Sequence, residues 1–190
     1  SQRSVLATLA VVLLLQPACH REKTTTPEET TPKATGPSVL LITLDTTRAD
    51  RLGVYGNDAG ASPNLDQLAS RGVTFRRAFC HTPLTIPSHT SIFTGQYPDR
   101  HGVRDNGDYF LSEDATTLAE RFKAEGYSTA ASVGAYVTNH KWGFGQGFDD
   151  YYDHIEANYE FGNNIWQSER RGDEVVADMV GWLDDHADEP

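Results

Sequence analysis

Two segments hold the residues whose types and spacing could do chemistry. The first is Leu44-Asp45-Thr46-Thr47-Arg48-Ala49-Asp50-Arg51-Leu52-Gly53. Asp45 closes an almost wholly apolar run that begins at Ser38. A carboxylate at the end of a buried strand is costly unless it is paired or holds a cation. Asp45 is therefore a candidate ligand for a hard metal ion; capping of the following turn is the equal alternative. The second segment runs from Thr82 to Pro98 and contains Thr85-Ile86-Pro87-Ser88-His89. Pro87 suits a helix start, which places Thr85 just ahead of it. Backbone N–H groups and the helix dipole at such a place favour an anion. A hydroxyl there meets a bound phosphate or sulfate and is stabilised as an alkoxide, which makes a weak nucleophile usable. The ordinary alternative for a Thr in this place is a helix N-cap.

The elements that must position these residues alternate. Ser38–Asp45 is β-rich and apolar nearly throughout, as in a strand buried on both faces of a parallel sheet. Ser62-Pro63 opens a helix bearing Leu65 and Leu68, with Gly72 at its end. Val73–Cys80 is a second expected strand. The Pro87 helix ends at Gly95. Thr117-Leu-Ala-Glu120 has capping-box spacing, and its helix runs to Glu125 before Gly126. Tyr127–Val133 is the next strand. Val175, Val176, Met179, Val180 and Leu183 recur at helical spacing on a last amphipathic helix. This order points to an α/β domain with a mostly parallel sheet flanked by helices, in which ligands bind at the carboxyl ends of strands. Asp45 is at such an end. Gly143-Phe-Gly145-Gln-Gly147 reads as a glycine-rich turn, because no helix pattern follows it directly.

The 190 residues carry 16 Lys+Arg against 27 Asp+Glu, a formal charge of −11. That balance argues against a nucleic-acid partner, which calls for a basic face. Two cysteines, Cys19 and Cys80, cannot make a disulfide framework. Arg3 precedes the apolar run Val5–Leu15, too short for a permanent span and suited to a signal peptide over residues 1–18. Gln16-Pro17-Ala18-Cys19 resembles a bacterial lipoprotein box, with Cys19 as the lipidated residue; a plain cleaved signal with an incidental Cys is the alternative. Residues 19–37 are Thr-, Pro- and charge-rich and read as a disordered tether. The expected location is thus the bacterial cell envelope, lipid-anchored or periplasmic, with the folded part at 38–190.

Taken together, the two segments resemble the sulfatase family of the alkaline phosphatase superfamily. The resemblance rests on Asp45, on the stretch Ser62–Phe75, and on Thr85-Ile86-Pro87-Ser88-His89 followed by Thr94-Gly95, Tyr97-Pro98 and His101-Gly102. Gly147-Phe148-Asp149-Asp150-Tyr151-Tyr152 looks like the family's Gly-Phe-Asp segment. It implies that Asp45 and Thr85 ligate one divalent cation, Ca²⁺ if sulfatase-like and Zn²⁺ or Mn²⁺ if phospho-acting. It implies that Thr85 acts as nucleophile and that His89 bonds the substrate anion. Further metal ligands come from the later half of the family's domain, and nothing after Asp153 matches them, so the domain reads as incomplete at its C-terminal side. Asp184-Asp185-His186 is assigned to the solvated side of the last helix.

The departures from the family pattern carry chemical weight. The formylglycine position holds Thr85, and Cys80 lacks the required Pro. His89 replaces an Arg and Thr46 replaces a second Asp. Gly134-Ala135-Tyr136-Val137 lacks the family's Lys and His. Formylglycine hydrate releases sulfate by collapsing to an aldehyde, and Thr has no second hydroxyl with which to do so. A phosphorylated Thr is turned over by attack at phosphorus, so the chemistry favours phosphate or phosphonate esters. Asn106 resembles an Asn that phosphonate monoester hydrolases of the family use near the substrate anion; stabilising the turn Asp105-Asn106-Gly107 is the alternative. Tyr136 and Thr138 resemble, out of register by one, their Tyr and Thr. The expected activity is metal-dependent hydrolysis of a sulfate or phosphate/phosphonate ester of a small molecule, glycan or lipid. The rivals are a cell-envelope phospho-group transferase and an inactive binding module.

Overall fold

The computed structural model describes residues 34–155 and 168–187. The signal segment, Cys19 and most of the tether lie outside them. The chain joins the fold at Ala34, whose N–H donates to the Gly126 carbonyl at 3.2 Å.

In chain order the elements are two short 3₁₀ turns at Ala49–Arg51 and Gly53–Tyr55, α1 (Pro63–Ser70), α2 (Thr85–Thr94) and α3 (Pro98–His101). There follow α4 (Leu118–Ala124), β1 (Ala130–Ser132), 3₁₀ turns at Tyr136–Thr138 and His140–Trp142, β2 (Asp150–Tyr152) and α5 (Gly172–Asp185). β1 and β2 pair in parallel, Ala131 opposite Tyr151. The α/β class with parallel pairing and flanking helices is therefore present, in partial form.

Local signals explain several boundaries. Thr117 and Glu120 close a full capping box on α4, which satisfies two otherwise orphaned backbone donors. Gly95 ends α2 in the left-handed conformation at φ 67°. Ser62 stands at the N-cap of α1, but its hydroxyl caps nothing in that helix. It accepts from Gly53 N–H at 2.8 Å and bonds the Asp66 carboxylate. Asp66 also accepts from Val54 N–H at 2.7 Å, so α1 is clamped to the 3₁₀ turn before it.

The two expected early strands do not form. Ser38–Asp45 has no ladder partner among the described residues, and Val39, Leu40 and Ile42 are 62%, 66% and 61% exposed. Val73–Cys80 likewise leaves Val73, Phe75 and Phe79 exposed. An apolar run of this kind becomes a strand when neighbours cover its edges and faces, and the described residues provide none.

The core is Ile86 of α2, Val103 and Phe144, ringed by Phe93, Tyr109, Val137, Trp142 and Tyr151. Burying such side chains stabilises by about 1.5–3 kcal/mol each. Asp149 of the Gly-Phe-Asp segment ties β1 to the approach to β2: its carboxylate accepts from Thr129 N–H and hydroxyl at 3.0 and 2.9 Å and pairs with Lys123. Burial pushes the Asp149 carboxyl up, but Lys123 and Thr129 outweigh it and hold it below the usual carboxylate range.

α5 docks through Arg170, which bonds the Tyr152 carbonyl at 3.0 Å and pairs with Asp178, and through Trp182 Nε1, which donates to Asp150 at 2.9 Å. The stripe expected from Val175 to Leu183 is split. Val175 and Met179 turn inward beside Asp178, whereas Val176, Val180 and Leu183 are exposed. Asp184 and Asp185 are exposed as expected, but His186 stacks on Trp182 with ring centroids 4.3 Å apart. Among the described residues, no helix is long and apolar enough to cross a membrane.

Candidate active site

Thr85 is the first residue of α2, two positions earlier than the Pro87 start expected from the sequence. Pro87 falls in the first turn, where no intrahelical N–H is required. Leu84 is the N-cap and offers no side-chain cap bond. Asn106 supplies it from twenty residues away: its Oδ1 accepts from Ile86 N–H at 2.9 Å. The Thr85 hydroxyl is thereby free of a capping duty and donates instead to Asp45 Oδ2 at 3.1 Å, across forty residues.

Asp45 is oriented by its own backbone. Its Oδ1 accepts from Thr46 N–H at 2.8 Å, which leaves Oδ2 to Thr85. Thr46 adopts φ 55°. A β-branched residue in the left-handed region is strained.

His89 is buried at 9% exposure. Its Nδ1 lies 2.9 Å from the Thr85 carbonyl, an acceptor, so Nδ1 carries the proton and donates. Nε2 lies 3.4 Å from Thr43 Oγ1, longer than an ordinary hydrogen bond. Asp45, Thr85, His89 and Asn106 thus gather at the start of α2. Neither Thr43, beside the imidazole, nor the Ile86 N–H, served by Asn106, was singled out in the sequence. Each is a non-local partner without a local pattern.

Tyr136 and Thr138 occupy a 3₁₀ turn whose middle residue, Val137, packs on the Ile86 core. The Tyr136 ring meets Trp142 edge-on and lies 3.5 Å beneath Lys141 Nζ. The Thr138 hydroxyl donates to the Ala135 carbonyl at 2.7 Å. The turn packs near α2, but these bonds do not bring either hydroxyl to Thr85. Cys80 is an exposed free thiol.

The donor set fits a hard cation in type and not in number. Asp45 and Thr85 offer two oxygens, whereas Ca²⁺ takes about six to eight. Among the described residues, no group of three His, Cys, Asp or Glu side chains could hold a metal ion.

A hydroxyl set against a carboxylate at a helix start, with an amide and an imidazole beside them, is an arrangement with the parts that ester chemistry by a hydroxyl nucleophile requires. Residues 37–190 match the family model named Sulfatase, and the chain belongs to the sulfatase family. Over 133 residues it is 34% identical to the ulvan-active sulfatase of Formosa agariphila, covering 67% of this chain and 26% of that protein. It is 40% identical over 99 residues to mouse (Mus musculus) iduronate 2-sulfatase, covering 51% and 18%. It is 38% identical over 93 residues to an arylsulfatase of Clostridium perfringens, covering 49% and 19%. A solved 2-O GAG sulfatase superposes with a TM-score of 0.49 and 30% identity, over 57% of this chain and 23% of that one. The chain therefore spans about a quarter or less of the length of these relatives.

Proposed function

We propose that the complete protein is an ester hydrolase of sulfatase type in which Thr85 is the nucleophile. The observation that carries this reading is the Thr85–Asp45 hydrogen bond at the first turn of α2. Thr85 Oγ attacks the phosphorus or sulfur of the ester, and the bond to the alcohol oxygen breaks. The Thr85 proton passes to Asp45 Oδ2 and from there to the departing alcohol. Water then attacks the phosphorus or sulfur of the Thr ester; the bond to Thr85 Oγ breaks, one water proton returns to Oγ, and the sulfate, phosphate monoester or phosphonate leaves. The helix dipole and the Thr85 N–H at the start of α2 stabilise the charge at the anion, since Ile86 N–H serves Asn106 and Pro87 has none. His89 Nε2 adds a donor only in the imidazolium form, because the Nδ1 proton is given to the Thr85 carbonyl. Asn106 holds that first turn in place. A divalent cation bound by the Asp45 and Thr85 oxygens would lower the pKa of the hydroxyl; Ca²⁺, Zn²⁺ and Mn²⁺ all accept such oxygen ligands.

The relatives bear sulfatase names, whereas the single hydroxyl of Thr85 favours phosphoric or phosphonic esters. A Thr-sulfate cannot collapse to an aldehyde, and a Thr-phosphate is opened by attack at phosphorus. The reading is therefore a phosphate- or phosphonate-ester preference on a sulfatase scaffold, in a protein anchored to the bacterial envelope through Cys19. The test is the kcat/KM ratio of the complete enzyme on a p-nitrophenyl phosphodiester or phosphonate against p-nitrophenyl sulfate. The phospho-substrate is expected to win, and Thr85→Val to abolish turnover of both. A sulfate preference lost in Thr85→Val overturns the phosphate reading alone. Turnover that survives Thr85→Val overturns the nucleophile.

A further inference from the structure

The start of α2 is held from outside by a strap. Residues 101–106 meet the middle of α2 at Ser91 and return to its first turn at Ile86. Three pins hold them. The His101 ring lies against Ser91, with Nε2 3.0 Å from Oγ. Val103, 1% exposed, shares the core with Ile86 and Phe144. Asn106 Oδ1 accepts from Ile86 N–H at 2.9 Å. Gly102 turns the chain between the first two pins, in the left-handed conformation at φ 79°.

The protonation of His101 is fixed by its partners. Val103 N–H donates to Nδ1 at 3.1 Å. A backbone N–H has no lone pair to offer, so Nδ1 carries no proton. The ring is therefore neutral, and its one N–H, at Nε2, donates to Ser91 Oγ. A second proton would set an Nδ1–H against the Val103 N–H, donor to donor. Either the ring turns away and leaves the N–H of a buried residue without its acceptor, which is unfavourable, or the strap moves. The groups that face the ring are Ser91, Asp99 and His81. Ser91 of α2 does not ionise. Burial is the largest influence and disfavours the imidazolium; Asp99 of α3 favours it and His81, from the preceding segment, opposes it. Asp99 and His81 are both exposed.

We propose that His101 is a positioning residue for the Thr85 site: its neutral ring pins the strap that carries Asn106 to Ile86 N–H, and its protonation releases that cap. This role rests on the reading of Thr85 as nucleophile, because one helical turn carries both Thr85 and the capped N–H. Without the cap, the Thr85 hydroxyl loses its fixed line to Asp45. The consequence is a fall in kcat below about pH 6.5, the side on which an imidazole gains its proton.

The test is the pH profile of kcat for the complete enzyme, from pH 7.5 to pH 5.5, on whichever p-nitrophenyl ester it turns over faster. Asn at position 101 can place an oxygen where Nδ1 stood, and it does not titrate. His101→Asn should therefore keep kcat close to wild type at pH 7.5 and lose much of the acid fall. His101→Leu has no acceptor, so its kcat at pH 7.5 should drop about five- to tenfold, the worth of one hydrogen bond. In an Asn106→Ala background the same change should add less than about twofold, since both act on one cap. Selective ¹⁵N-isoleucine labelling reads the cap without turnover. The Ile86 amide signal, assigned by its loss in Ile86→Val, should shift over this pH range, and the shift should be at least halved in His101→Asn. Either an acid fall or an Ile86 shift that is the same in wild type and His101→Asn overturns the proposal. So does full additivity of His101→Leu and Asn106→Ala. Should His101→Leu fail to fold, His101→Asn decides alone. Turnover that survives Thr85→Val removes the nucleophile reading, and the Ile86 amide still decides whether His101 governs the cap.

Discussion

Replacing Asn106 by Ala tests the claim that this side chain caps α2 from a distance. The change removes the acceptor of Ile86 N–H, and Ile86 is fully buried. A buried donor left without a partner costs about 1–3 kcal/mol, and loss of a helix N-cap to Ala costs about 0.5–2 kcal/mol. Asn106 is only half-buried, so water reaches the vacated place and the lower half of these ranges applies. About 1–1.5 kcal/mol of unfolding free energy is expected to be lost. Asn106→Asp keeps a side-chain oxygen in position and adds a negative charge at a helix N-terminus, where it stabilises by about 0.3–1 kcal/mol. Its stability should recover most of the loss. Urea and thermal unfolding of the complete protein measure all three forms. If Asn106→Ala unfolds with the wild type, or if Asn106→Asp is as weak as Asn106→Ala, the capping role is refuted. Thr85→Val gives the contrast: it removes one solvent-accessible hydrogen bond and no cap, so it should shift stability by less than about 1 kcal/mol.

His101 Nδ1 accepts from Val103 N–H at 3.1 Å while Nε2 faces Ser91 Oγ at 3.0 Å. The folded ring is therefore neutral; burial is the main cause that pushes its pKa down, against the opposing pull of Asp99. A base with a lowered folded pKa favours the fold above its unfolded value of about 6.5 and loses that contribution as pH falls below it. The urea midpoint should decline from pH 7.5 to pH 5, with a smaller slope in His101→Gln; equal slopes would remove His101 from the account. Gly147 sits at φ 90°, and an added Cβ would lie 2.4 Å from Glu120 N. Gly147→Ala should cost at least about 1–3 kcal/mol in urea unfolding, and an unchanged midpoint would contradict that packing. Metabolic palmitate labelling should mark the wild-type protein and not Cys19→Ala; equal labelling of both would dispose of the lipid anchor.

What was legible in the sequence was local chemistry. Thr117 and Glu120 announce α4 because both halves of a capping box lie within one turn. Gly95 announces the end of α2 because only the left-handed region closes that helix. Tyr127–Val133 shrinks to the strand Ala130–Ser132, whose partner Asp150–Tyr152 was read only as part of a motif. Pairing across space was not legible. Ser38–Asp45 and Val73–Cys80 have strand composition, yet strand formation depends on neighbours that composition does not contain. The site shows the same division. Strand-end and helix-start chemistry singled out Asp45 and Thr85, and the family resemblance added His89 and Asn106. That Asn106 serves Ile86, and that Thr85 is thereby released toward Asp45, depends on chain separations of twenty and forty residues. Tyr136 and Thr138 were drawn from a register one residue out, and their hydroxyls have no described bond to Thr85. The bond between Ser91 and His101 gave no signal, because nothing in a ten-residue separation marks an imidazole with its partner.

The backbone at Thr46 makes that position a natural target for laboratory evolution. Its left-handed conformation aims the Asp45 carboxylate, and the residue chosen there by the sequence is among the least suited to it. Glycine would relieve the strain and leave Asp45 a looser guide. Aspartate, which the wider family places there, tolerates the same backbone far better than threonine does and would bring a second acid beside the first. A saturation library at residue 46, sorted separately for thermal resistance and for turnover, would therefore be drawn to different residues by the two selections. Stability gained at this one site would trade against the aim of the carboxylate.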